Sequence, residues 1–93
     1  MARKLNITIK PISGSFLGFR VGIIAGDVVL DQMNGQGGSA EVSVPDESIA
    51  LRVDCDGLGA GSYRVVFELP EEEHTYTVDR KMKNGSDAFK ITV

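Results

Sequence analysis

The chain has no tryptophan, one cysteine (Cys55), one histidine (His74) and three prolines in 93 residues. Each scarcity closes off a class. A lone cysteine forms no internal disulfide, so the stapled scaffolds of small secreted proteins are excluded. A single histidine offers one candidate base for a hydrolytic triad, and no G-x-S-x-G elbow supplies a nucleophile. Without tryptophan, a carbohydrate-stacking platform has only Phe16 to build on, because the other aromatic residues fall on the expected core phase.

Helical periodicity is missing as well, and no stretch approaches the roughly 20 apolar residues of a membrane-spanning helix. The net charge of -3 and the scatter of lysine and arginine disfavour a nucleic-acid partner, which calls for a basic stripe to neutralise phosphates. The one basic run, "RKMK" at Arg80 to Lys83, reads as a solvated turn. The opening "MARKLNITIK" alternates apolar and polar residues, unlike the continuous apolar segment of a signal peptide. The expected location is cytoplasmic or intracellular, with an excised extracellular domain as the alternative.

What is present is ordinary for a folded protein: 42% hydrophobic and 25% charged residues. Ninety-three residues suit one domain, 1–93, with one modest core. The ruling pattern is period two. Leu5, Ile7 and Ile9 form a first strand that Pro11 should end. In "FLGFRVGIIA" the inward set is Leu17, Phe19, Val21, Ile23 and Ala25. Gly26 and Asp27 fit a two-residue hairpin turn, setting Ile23 opposite Leu30 and Gly22 opposite Asp31. "NGQGGS", from Asn34, reads as a flexible loop. Ala40, Val42 and Val44 follow up to Pro45, and then Ile49, Leu51 and Val53, which "DGLGAG" should break. Tyr63, Val65, Phe67 and Leu69 run to Pro70; Tyr76 and Val78, then Phe89, Ile91 and Val93, complete the set.

Seven or eight short strands with regular turn signals predict an all-β, antiparallel β-sandwich, a small β-barrel being the alternative. In general architecture this resembles immunoglobulin-like and transthyretin-like sandwiches, although the cysteine pair and core tryptophan of the former are lacking. Such a likeness concerns architecture, and function does not follow from it. No repeat, linker or second domain is visible. The expected core comprises Leu5, Ile7, Ile9, Leu17, Phe19, Val21, Ile23, Val28, Leu30, Val42, Val44, Ile49, Leu51, Val53, Tyr63, Val65, Phe67, Leu69, Tyr76, Val78, Phe89 and Ile91.

The sharpest functional signal lies on the second strand's other face. Phe16, Gly18, Arg20, Gly22 and Ile24, with Val29, Asp31 and Met33 from the facing strand, would make a shallow apolar trough. A guanidinium sits at its centre, diagonal to Asp31, in a pattern common at interfaces. The competing reading is internal: a bulge would shift the alternation and turn part of the patch inward. Asp54 and Asp56, beside Gly57, are the candidate metal ligands. Calcium is the cofactor they would suit, with help from Asp46, Glu47 or Asp79. Cys55, between them at an expected strand end, should be partly exposed and incidental. "EEEH", Glu71 to His74, reads as a solvated hairpin tip.

The expected function is therefore non-catalytic: a protein–protein interaction or assembly module, whose partner is another protein or a second copy. The alternative is a module binding calcium or carbohydrate through loops Asp54 to Gly61 and Asn34 to Gly38. A small hydrolase built on paired carboxylates comes third.

Overall fold

The computed structural model describes the backbone of residues 3–23, 28–45 and 47–93, and the side chains of these except 28–32. The strands are β1 (Arg3–Ile23), β2 (Val28–Asn34), β3 (Gly38–Val44), β4 (Ala50–Leu69), β5 (His74–Met82) and β6 (Ser86–Thr92), with one 3-10 turn at Pro70–Glu72. All six belong to one antiparallel sheet. The all-β, antiparallel class is as expected from the alternation. Among the described residues the strand number is corrected to six, because two expected breaks do not break.

Pro11 lies inside β1, paired with Tyr63, and "DGLGAG" lies inside β4. Both long strands bend there instead of ending. Pro11 lacks a ladder donor and the glycines weaken pairing, which a bulged segment tolerates and a regular ladder does not. The register slips on β1 between Pro11 and Ser13, between Ser13 and Ser15, and between Phe16 and Gly18. Ile12 and Leu17 are thus extra residues, each inserted between neighbours whose β4 partners are consecutive.

Each such insertion reverses which face the following side chains point to, and two insertions restore it. Leu5, Ile7 and Ile9 before the bend therefore share a phase with Phe19 and Val21 after it. Between the insertions the phase is inverted. Phe16 turns inward against Phe19 and Tyr63, while Leu17, an expected core residue, is 64% exposed.

The bend divides the sheet into two limbs. In one, residues 3–11 of β1 lie between β3 and residues 61–69 of β4; in the other, residues 15–23 of β1 lie between β2 and residues 50–58 of β4. Strands β5 and β6 flank β4 on the first and second limbs respectively. Leu5, Ile7, Val21, Leu51, Val53, Tyr63, Val65 and Phe67 are wholly buried, which a single solvated sheet cannot achieve. The 3-10 turn buries nothing, so the limbs cover each other. Tyr63 of the first limb reaches Phe19 and Phe89 of the second, at centroid separations of 5.6 and 6.4 Å.

Most of the expected core is buried or packed against it, and Met33, Cys55, Met82 and Val93 join it. The side chains of Val28 and Leu30 lie outside the described residues, as do Ala25, Gly26 and Asp27 of the expected turn. The flanking register differs from expectation: Val21 faces Leu30 and Gly22 faces Val28. "NGQGGS" is a tight turn and not a flexible loop. Gly37 N donates to Asn34 O at 2.9 Å, and Gln36 N to Asn34 Oδ1 at 2.9 Å. "RKMK" is likewise no free turn, since it closes β5 with Met82 buried between exposed Lys81 and Lys83.

Although no repeat shows in the sequence, the pairing repeats. β1 takes β3 along its N-terminal half and β2 along its C-terminal half; β4 takes β6 along its N-terminal half and β5 along its C-terminal half. Leu5 pairs with Val42 as Leu51 pairs with Ile91; Ile7 pairs with Ala40 and Phe67, as Val53 pairs with Phe89 and Val21. The strands within residues 3–44 and those within 50–93 thus repeat one pairing topology. Among the described residues no helix is long and apolar enough to cross a membrane.

Candidate functional site

The bend concentrates what is unusual in this molecule. Ile12 is 58% exposed, Leu17 64% and Leu58 66%, and these are the large apolar side chains left exposed among the described residues. The two β1 insertions hold Ile12 and Leu17 outward. Leu58 sits on β4 opposite Ser15. Gly14, with φ of 91°, lets β1 pass close to β4: a Cβ there would lie 2.6 Å from both Ala60 O and Gly61 Cα. Beside this rim an open cleft of about 460 Å³ is lined by Ser13, Ala60, Gly61, Ser62, Lys81, Met82 and Lys83.

The expected trough is corrected in its composition. Phe16 packs on the core and Met33 is buried, for the phase reason given above. Gly18, Arg20 and Gly22 face Asp56, Asp54 and Arg52 on β4, and Arg20 is exposed. Among the described residues that outer row is small and charged, and Phe16 and Met33 do not flank it. Ile24, and the side chains of Val29 and Asp31, lie outside the described residues.

The candidate metal ligands Asp54 and Asp56 stand on one face of β4 with Cys55 pointing the opposite way. Asp54 Oδ1 accepts from Arg52 Nε at 3.0 Å, which commits it to a neighbour. Among the described residues no three His, Cys, Asp or Glu side chains converge on a point; Asp46 lies outside them. Two of the three carboxylates of "EEEH" are also engaged. Glu71 Oε1 accepts from Lys4 N at 3.2 Å and Glu72 Oε2 from Arg3 Nη1 at 3.1 Å, so the expected free tip is docked onto β1. No protein-family model, curated protein or solved structure matches this chain.

Just inside the bend lies a polar knot. Tyr63 Oη donates to Asp87 Oδ2 at 2.6 Å. Arg80 grips the same carboxylate with Nε at 3.1 Å and Nη2 at 3.2 Å, and also reaches Ala88 O. Its guanidinium stands 5.3 Å from the Phe89 ring centre. Asp87 keeps 14% of its side-chain exposure. Burial alone would raise its pKa, but the hydrogen bonds from Arg80 and Tyr63 prevail and hold it below the usual carboxylate range. Burial, then donation to Asp87, pushes the Tyr63 phenol far up.

Two residues carried a legible signal for this knot. Asp87 shares the phase of Phe89 and Ile91, placing a carboxylate on a core face, and Tyr63 has a core hydroxyl that must find an acceptor. Arg80 had no such mark.

Cys55 corrects a further expectation: it is 2% exposed and follows the phase of Leu51 and Val53. Its thiol pKa is raised, chiefly by burial, with Tyr63 partly opposing through a hydrogen bond. A buried, protonated thiol is a poor nucleophile. In the folded protein Cys55 should resist a thiol reagent that labels it at once in denaturant. Rapid labelling under native conditions would place it at the surface.

Proposed function

We propose that this domain acts by non-catalytic binding to another protein chain, with the rim of the bend as its contact. One observation carries the reading: side chains inserted by bulges, and so held away from the core, are large and apolar. Solvent would accept polar residues at Ile12, Leu17 and Leu58 at no cost to folding. Each is available to a partner, at about 1.5–3 kcal/mol of transfer free energy when fully buried. Three such anchors at one bend reach the scale at which a few residues dominate an interface.

Lys81 and Lys83 border the same cleft, so the complementary surface is an apolar pocket with an acidic margin. Charge of this kind raises the association rate and makes binding salt-sensitive. The clefts are open to solvent, as suits a contact surface better than an enclosed substrate. Tagged protein should retain a partner that the double variant Leu17→Asp, Leu58→Asp loses, with both melting at the same temperature. Equal retention by the two proteins would overturn the reading.

A further inference from the structure

The repeated topology bears on how copies of this chain meet. Neither half can close a core alone. In residues 3–44, β2 and β3 pair opposite ends of β1, so each limb of that half is two strands wide. Two-stranded pairs are marginal at best in water. Residues 50–93 repeat the deficit. What completes both is the long pairing of β1 with β4, from Asn6–Glu68 to Ile23–Leu51. The same surfaces would be completed equally by a half from a second chain.

We propose that two copies of this chain exchange halves about the connection between Val44 and Ala50, and that Arg3 is the clamp favouring the closed monomer. Arg3 retains 12% of its side-chain exposure. Its Nε donates to Pro45 O at 2.9 Å and its Nη2 to Glu47 O at 2.6 Å, both on the connection. Two further hydrogen bonds reach the second half, to Glu72 Oε2 at 3.1 Å and Val93 O at 3.3 Å. These last two survive exchange, because the incoming half supplies the same atoms. Pro45 directly follows Val44, the β3 partner of Arg3, so that bond also stays within the half; the bond to Glu47 O spans the connection, and opening it removes that bond. Through it the clamp is specific to the closed form.

Mass action sets where exchange occurs. A short connection gives the two halves an effective concentration of about millimolar, so dilute refolding yields closed monomer and concentrated refolding yields exchanged dimer. Asn6 Nδ2 lies 3.4 Å from Glu68 Oε1 across the β1–β4 pair, and opposed strand residues suit a disulfide. The full-length double variant Asn6→Cys, Glu68→Cys is refolded at micromolar and at near-millimolar concentration. Oxidation follows only after refolding, when Cys55 is covered. Covalent dimer on a non-reducing gel after concentrated refolding, with internally linked monomer after dilute refolding, is the expected result. Adding Arg3→Ala should raise the dimer fraction several-fold, whereas Glu72→Ala, which removes a bond common to both forms, should not. Internal linkage at every concentration would overturn the exchange, as would association in solution that separates into internally linked monomers on the gel. The latter pattern would instead fit surface docking, so failure here leaves the rim contact standing. Equal effects of Arg3→Ala and Glu72→Ala would remove the clamp.

Discussion

Replacing Gly14 with alanine should lower stability by on the order of 3 kcal/mol or more, among the largest effects of any single methyl group in this domain. Two costs add. A φ of 91° is one that an L side chain adopts at about 1–2 kcal/mol, and the new Cβ meets backbone, not a yielding side chain. Ala60 O and Gly61 Cα each lie 2.6 Å from its position. Overpacking of this kind costs about 1–3 kcal/mol. For a domain of this length, each kcal/mol lowers the melting temperature by roughly 4–8 °C. Gly59 supplies the control, with a comparable φ of 73° and nothing within 4 Å of a Cβ. Gly59→Ala should show the conformational cost alone. Thermal and urea unfolding of the two variants measures the difference, and equal losses would mean that β1 and β4 are not pressed together at the bend.

That bend is also where the sequence misleads. The alternation of Leu5, Ile7, Ile9 and of Phe19, Val21 reports both limbs correctly, since two insertions cancel in phase. Only Phe16, which lies between the insertions, and Leu17, which is the second of them, are exchanged in role, and with them went the expected trough. Bulges have no residue code as strong as a turn's. A proline or glycine that marks a strand end elsewhere marks a bent but continuous strand here. Long-range pairing was equally hidden. Tyr63, Arg80 and Asp87 are neighbours only because β5 and β6 both flank β4, on different limbs. Arg3 meets Pro45, Glu47, Glu72 and Val93 for the same kind of reason. The repeat went unseen because the halves share pairing geometry through unlike residues, Ile7 with Val53 and Phe16 with Tyr63, which satisfy one pattern without resembling each other in sequence.

Asp87→Ala should cost roughly 3 kcal/mol at neutral pH. The loss leaves a buried phenol without its acceptor and frees a guanidinium held by two bonds, and hydrogen bonds to a charged group are worth about 1.5–3 kcal/mol. Because Asp87 ties Tyr63 of β4 to Arg80 of β5 while itself belonging to β6, it joins two limbs that otherwise meet at β5 and β6 only sparsely. The sign of the pH dependence follows from its lowered pKa. In the unfolded chain an aspartate titrates near about pH 4, and in the folded protein lower. Between those values the unfolded state binds the proton first. The contribution of Asp87 is therefore complete above the unfolded value and is lost as pH falls through the folded one. Urea midpoints of wild type and Asp87→Ala should differ most at neutral pH and converge in acid, in proportion as the wild-type carboxylate is protonated. A gap that stays constant through the acid range would show that Asp87 contributes by packing and not by its charge. Tyr63→Phe then separates the knot's two donors. With Arg80 still bound, the variant should lose about 1.5–3 kcal/mol and should titrate at a pH closer to that of the unfolded chain, since one of the hydrogen bonds that depress the Asp87 pKa has gone.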